Sequence, residues 1–243
     1  MVEAERAGRW LDEGETPPED SANLQRAVRR ARARVRALAR ATESFSYFVT
    51  LTLDAQKVER YDEREVIRKA SAWLSNQVQR RGLAYVLVPE RHKDGAIHFH
   101  GFFNKALDFV ESGTIVPPEG GKPRRPRSAK QRAEWLDSGG HDVFNIPAWS
   151  FGFSTAIGLY GPRSAAVGYV CKYIGKQTAA ELPEKIGGRW YYSGGELSEP
   201  ETHYADLDLD AARQLNPKGF SFKVPEACAE YYAFEIGGDG RDD

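Results

Sequence analysis

Cysteine is scarce in this chain of 243 residues: Cys171 and Cys228 are the only two. With no CxxC spacing they build neither a disulfide framework nor a cysteine-rich zinc site, and a reducing cytoplasm is the expected compartment. No apolar run approaches the roughly eighteen residues of a membrane-spanning helix. The N-terminus, Met1-Val-Glu-Ala-Glu-Arg6, lacks the basic region and apolar stretch of a secretory signal, so no membrane partner is expected. No GxxxxGK[ST] occurs, which argues against a helicase domain on this chain. No internal repeat stands out.

Net charge is also missing, with 34 Lys and Arg against 35 Asp and Glu, a formal balance of -1. The mean hides segregation. Arg26, Arg29, Arg30, Arg32, Arg34, Arg36 and Arg40 crowd one stretch, and Lys122, Arg124, Arg125, Arg127, Lys130 and Arg132 another. Acidic residues gather at the N-terminal end and after Glu196. Such clustering gives a near-neutral molecule a polyanion-binding surface, for which Arg26, Arg29, Arg30, Arg34, Arg124 and Arg125 are the candidates. The plainer reading of each run is a solvated face of a helix.

What is present suffices for one core domain with extensions, or at most two small domains: 41% hydrophobic residues, 12% aromatic. Residues 1–20 read as a disordered leader. Leu24, Val28, Ala31, Val35 and Leu38 recur at helical spacing, giving a basic helix over 21–41. Ser46–Leu53 reads as a buried strand and Asp62–Arg80 as an amphipathic helix stopped by Gly82. Ala84–Glu90 and Ala96–Asn104 read as an antiparallel hairpin turned at Asp94-Gly95, with Pro89 marking an edge or bulge. Residues 105–140 are a polar insertion with a short helix around Trp135. A strand pair is expected in Phe144–Tyr160, a late strand in Gly187–Ser193, and 196–243 is an acidic C-terminal extension.

Ala96-Ile-His-Phe-His-Gly-Phe-Phe103 carries two histidines at i, i+2. In a strand both project to one face, and two neutral imidazoles make half of a divalent-metal site. If the hairpin register keeps even-numbered residues together, Glu90 joins His98 and His100 as a third ligand. His92, His141 and His203 lack a usable spacing and read as surface or packing residues.

Pro162-Arg163-Ser164 looks like a helix start, with Ser164 as N-cap. At about 100° per residue, Tyr169, Lys172, Tyr173 and Lys176 share one arc, while Val167, Val170, Cys171 and Ile174 fall opposite. One face glues the helix to a sheet and the other offers two phenols and two ammonium groups. The plainer reading is a tyrosine packed along a core edge with a wet hydroxyl. Ionising a phenol at neutral pH costs about 4 kcal/mol, which nearby lysines and a metal would lower. The pairing suggests a metal-assisted tyrosine nucleophile acting on a phosphodiester.

In order and approximate spacing, Phe48-Val-Thr-Leu-Thr-Leu53, His98-Phe-His100 and Tyr169-Val-Cys-Lys-Tyr-Ile-Gly-Lys176 resemble the motifs of the HUH endonucleases. Among these, the likeness is to rolling-circle replication initiators of plasmids and small single-stranded DNA phages. Tyr169, Lys172, Tyr173 and Lys176 look closest to the two-tyrosine phage initiators, and Gly188-Arg-Trp-Tyr-Tyr-Ser193 is similar to a segment that follows their tyrosine helix. The resemblance spans about residues 45–195, the expected nicking domain. It implies an α+β fold with a central antiparallel β-sheet flanked by helices, here with an N-terminal arginine-rich helix. It implies Mg²⁺ or Mn²⁺ held by His98, His100 and Glu90, with Tyr169 and Tyr173 as nucleophiles and Lys172 as the motif lysine. The implied partners are single-stranded or hairpin origin DNA, with a host helicase and polymerase. Single-tyrosine HUH transposases, conjugative relaxases and a non-enzymatic metal-containing DNA-binding regulator are the alternatives.

Overall fold

The computed structural model describes residues 19–159, 163–175, 183–200, 208–215, 220–224 and 229–233. Most of the expected leader, with Lys176, Cys228 and His203, lies outside the described residues. The chain divides into two units, Met1–Pro200 and Glu201–Asp243.

The first unit is an α+β fold. Helix α1, Glu19–Ala41, buries Val28, Ala31, Val35, Leu38 and Ala39 along one stripe, the one its periodicity predicts. Strand β1, Tyr47–Leu53, leads to α2, Glu63–Arg81. Asp62 caps α2, its side chain accepting from the Glu65 amide, and left-handed Gly82 closes it by donating to the Val78 and Gln77 carbonyls. Strands β2, Tyr85–Arg91, and β3, Ile97–Phe103, form the expected hairpin. Next come β4, Val110–Val116, α3, Ala129–Asp137, β5, His141–Asn145, β6, Gly152–Gly158, α4, Arg163–Cys171, and β7, Tyr192–Gly194. The strands make one open antiparallel sheet in the order β4-β5-β6-β1-β3-β2-β7.

Alternation along β1, β2 and β3 sends side chains to two different cores. On one face Val49, Leu51, Leu53, Leu87, Phe99 and Phe103 pack with Val66, Ala70, Trp73 and Leu74 of α2 and with Trp149. Each large side chain so buried contributes about 1.5–3 kcal/mol. The Trp73 and Trp149 indole N–H groups donate to the carbonyls of Ala148 (2.8 Å) and Thr52 (3.1 Å). On the other face Val86, Val88 and Phe102 meet the apolar stripes of α1 and α4.

Three elements depart from the sequence expectation. The stretch read as a polar insertion contributes β4, an edge strand. Its signal is broken by Ser112-Gly113, where the register shifts between Glu111 and Thr114 and Gly113 takes a φ of 74°; a bulge inserts residues that spoil the period of two. The late strand is only Tyr192–Gly194, since Ile186 and Arg189 form an isolated bridge before it. Helix α4 begins at Arg163, which puts Ser164 inside its first turn instead of before it, and stops at Cys171. The second unit contains α5, Leu209–Leu215, and an antiparallel hairpin of β8, Phe220–Val224, with β9, Ala229–Ala233, where the acidic composition suggested no element.

Gly101 is the tightest point of the central sheet: a Cβ there would overlap the Val86 carbonyl and crowd Leu87 Cα, both backbone. Gly101→Ala is expected to lower the unfolding free energy by about 2–3 kcal/mol in a urea titration, the range for overpacking a filled core.

Candidate active site

The cross-strand register assembles the site. Thr52 of β1 lies opposite His98 of β3, which lies opposite Glu90 of β2. One step along, Thr50 pairs with His100 and His100 with Val88. Directly opposed residues share a face, so both imidazoles and the carboxylate project toward the α1 and α4 side. The His100 Nε2 and Glu90 Oε2 atoms are 3.0 Å apart, and both side chains are about nine-tenths buried. Pro89 pairs with Phe99 beyond the reach of β7, which ends its pairing at Leu87, so β2 is an edge at this point.

Threonine hydroxyls fix the other ring nitrogens. Thr50 Oγ1 is 3.1 Å from His100 Nδ1, and Thr52 Oγ1 is 3.5 Å from His98 Nδ1. With Nδ1 held by a hydroxyl on the next strand, Nε2 is the nitrogen left to ligate a cation, the usual outer partnership of a metal-binding histidine. Burial pushes the His98 pKa down, His92 and His100 push it further, and Glu90 and Asp94 oppose them. A ring biased toward its neutral form suits metal ligation. Among the described residues no group of three His, Cys, Asp or Glu side chains is arranged to hold an ion as it stands; His100 and Glu90 face one another instead. The donor set fits a divalent cation in chemistry and in placement on one sheet face, and ligation requires that hydrogen bond to open.

The phenols arrive from the other layer. Tyr173 lies flat on His100, ring centroids 4.2 Å apart and planes 12° apart. Tyr169 meets Tyr173 edge-on at 5.2 Å and Phe48 of β1 edge-on at 5.5 Å. Lys172 Nζ stands 5.7 Å above the Tyr169 ring. The helix has ended before these contacts form, because the Lys172 and Tyr173 amides donate to the carbonyls three residues back, Tyr169 and Val170, both at 3.1 Å. Such 3₁₀ bonds advance the chain by about 120° per residue instead of 100°. Tyr173 therefore turns further toward the sheet than a continuous α-helix would carry it: it is half-buried, whereas Tyr169 and Lys172 are exposed. Val167, Val170, Cys171 and Ile174 are buried as the helical arc predicts. Burial, then the Tyr169 hydroxyl, then the Glu90 carboxylate raise the Tyr173 pKa. The expected easing of phenol ionisation by lysines is therefore not what surrounds Tyr173, because its lid is aromatic and its nearest charge is negative.

The predicted arginines separate. Arg29 and Arg30 are exposed on α1, whereas Arg26 donates to Asn23 and Arg34 makes a two-pronged ion pair with Glu199 at 2.5 Å. Arg124 pairs with Glu119 and lies over Trp135, and Arg125 reaches over Gly113. These last two belong to the β4 side of the sheet, four strands from β3 in its order, so they do not stand with the histidines. Lys176 lies outside the described residues.

Several participants escaped sequence reasoning. His92, read as a surface residue, stacks on His98 at 5.1 Å and lies 3.2 Å from Asp94 through Nδ1. Thr50 and Thr52 were legible only once β1 was paired with β3. Arg32, which sits among the basic run, serves the site's frame: its Nε and Nη2 donate to the Ile174 carbonyl at 3.1 and 2.9 Å, while Cys171 Sγ lies 3.7 Å from the Arg32 carbonyl. This clamp ties α1 to the turn that bears Tyr173.

A family model for replication-associated proteins of the ORF2 type matches residues 46–178, a span from β1 through the tyrosine turn. No curated protein and no solved structure matches the chain.

Arg32→Ala removes two charge-assisted hydrogen bonds from a partly buried carbonyl. It is expected to cost about 1.5–3 kcal/mol in chemical denaturation, and Arg32→Lys, which keeps a donor, should recover part of that loss.

Proposed function

The chain belongs to the ORF2-type family of replication-associated proteins, and from that premise, which supports a role in replication initiation, we propose that it nicks single-stranded origin DNA and transfers the strand through a covalent phosphotyrosine. This is the HUH-type reaction that starts rolling-circle replication. The observation that carries the proposal is the stacking of Tyr173 on His100, within a row that also holds Glu90 and His98.

The chemistry divides among named side chains. His98 and His100, through Nε2, and Glu90 would hold Mg²⁺ or Mn²⁺. A divalent ion so bound would polarise the scissile phosphate and help set it in line for attack. Thr50 and Thr52 keep the imidazoles in the ligating tautomer. Tyr169 and Tyr173 are the nucleophiles: a phenol loses its proton, its oxygen bonds to phosphorus, the bond to the departing strand breaks, and the leaving oxygen takes up a proton as a free hydroxyl. Because one phosphodiester is exchanged for another, that hydroxyl can reverse the step, and adjacent tyrosines allow successive transfers without release of DNA. Lys172, with Lys176 in the same motif, neutralises phosphate charge near the phenols. Unwinding and synthesis would fall to a host helicase and polymerase in the cytoplasm of the host cell. No helix among the described residues is long and apolar enough to cross a membrane.

Incubation with single-stranded origin DNA and Mn²⁺ should yield a covalent adduct mapping by mass spectrometry to Tyr169 or Tyr173, and chelation should abolish it. Tyr169→Phe with Tyr173→Phe should remove the adduct while leaving DNA binding intact; cleavage surviving the double change refutes the assignment. His98→Ala and His100→Ala should lose nicking far more than binding. Equal loss of both would mean that the pair serves folding, and binding with no adduct under any metal would favour a DNA-binding regulator.

The exposed arginines of α1 are assigned to the phosphate backbone. Arg29→Ala with Arg30→Ala should flatten the plot of log affinity against log salt for single-stranded DNA by about 1.4, two phosphate contacts at roughly 0.7 each. An unchanged slope dismisses that assignment.

A further inference from the structure

Among the described residues four large apolar side chains are exposed: Tyr61, Val110, Phe153 and Tyr169. Phe153 is the most exposed, at 70%, although it sits within β6, a strand whose next-but-one neighbours Phe151 and Thr155 are each partly covered. Its place in the register is specific. Phe153 lies opposite Thr52, Thr52 lies opposite His98, and His98 lies opposite Glu90. The phenyl ring therefore shares a row and a face with the candidate metal ligands, about 10 Å from His98 at the usual spacing of neighbouring strands. The apolar stripes of α1 and α4 cover Val86, Val88 and Phe102 on this face, but Phe153 is left in solvent.

What surrounds the ring decides what it suits. Its cross-strand and same-strand neighbours on this face are threonines, Thr52 and Thr155, so it is a lone aromatic on a hydroxyl-lined surface and not part of an apolar patch of the kind that buries against protein. The other exposed aromatics at the site carry cations. Lys172 stands over Tyr169, and the Arg60 guanidinium lies 5.0 Å above Tyr61, beside Gly95 of the hairpin that leads into β3. Arg60 is joined to that same end of the sheet, since its carbonyl accepts from the Ile97 amide. Aromatic faces interleaved with cations are how proteins hold single strands: rings stack the bases and cations follow the phosphates.

We propose that Phe153 is a stacking platform for a nucleobase of single-stranded DNA, the strand running along the β6-β1-β3-β2 row with its scissile phosphate at Glu90, His98 and His100. The assignment rests on the nicking reading and deepens it, because it states which face of the sheet the substrate crosses and where the base beside the cleaved bond lies. Threonine hydroxyls flanking the ring are available to the sugar or phosphate between the two points. Duplex DNA cannot use the platform, since its bases are already stacked; the preference for a single strand then comes from the protein surface itself.

The test uses the full chain and a fluorescein-labelled oligothymidylate in chelator, so that binding is read without cleavage. Phe153→Ala should weaken binding by about 5- to 100-fold, the range for loss of one base–aromatic stack. Phe153→Leu, which restores apolar bulk without a π-face, should stay weak. Phe153→Trp should restore affinity and add a tryptophan whose emission the oligonucleotide quenches beyond the quenching seen in wild type. Wild-type affinity in the alanine variant, or full recovery with leucine, overturns the platform. So does a changed gel-filtration elution of the alanine variant at unaltered DNA affinity, which would make Phe153 a contact between protein copies. Wild-type protein that binds and nicks, with an indifferent alanine variant, sinks the platform alone. Binding that depends on Phe153, with no adduct ever formed, sinks the nicking reading and leaves the platform standing.

Discussion

Strand register is the constraint on which the site depends. Side chains alternate across a sheet with a period of two, so the pairing of β1, β3 and β2 decides at once where both imidazoles, two threonine hydroxyls and a carboxylate will point. In the register adopted, Thr52, His98 and Glu90 share one row and Thr50 and His100 the next. A slip of one residue in β3 would turn both histidines into the core beneath α2 and bring Phe99 out in their place. The apolar residues of β3 prevent that: Ile97, Phe99 and Phe103 are almost wholly buried against α2 and its neighbours. Core packing on one face thus fixes polar geometry on the other, and Gly101, pressed against the backbone of β2, leaves little room for the strands to readjust.

The second dependence runs between layers. The tyrosine turn reaches His100 because α4 is glued down by Val167, Val170 and Ile174 and because Arg32 holds the Ile174 carbonyl. The arginine-rich helix therefore has two jobs for one residue type. Arg32 points inward as a clamp and Arg34 is engaged by Glu199, whereas Arg29 and Arg30 remain exposed. Composition alone cannot make this distinction, since it depends on which side of α1 faces α4.

Much of the frame was legible in the sequence. The stripes of α1 and α2 and the β2–β3 turn at Asp94-Gly95 follow from local rules of spacing and turn chemistry, and Glu90 opposite His98 follows from that turn. The apolar arc of α4 was legible too, although the change to 3₁₀ bonds after Cys171, which swings Tyr173 inward, was not. Such a change depends on the stacking partner that the turn finds across the interface. His92, Thr50, Thr52 and Phe153 were missed for a related reason. Each gains its place by pairing with residues remote in the chain, or across a turn, and a lone side chain carries no period that announces it. Strand β4 was hidden by its own bulge at Gly113.

Strand β2 outlasts its outer neighbour. Strand β7 pairs only with Tyr85, Val86 and Leu87, so the segment from Val88 to Arg91 borders the sheet without a strand beyond it. A bare margin of this sort invites intruding chains to extend the ladder and seed fibrils. Here the margin carries Pro89, which has no N–H to offer, followed by Glu90 and Arg91, whose charges an intruder would have to strip of water. The same three residues that leave the carboxylate on an accessible rim thereby make that rim a poor template for aggregation, so an open reaction edge and colloidal safety are met by one short stretch of sequence.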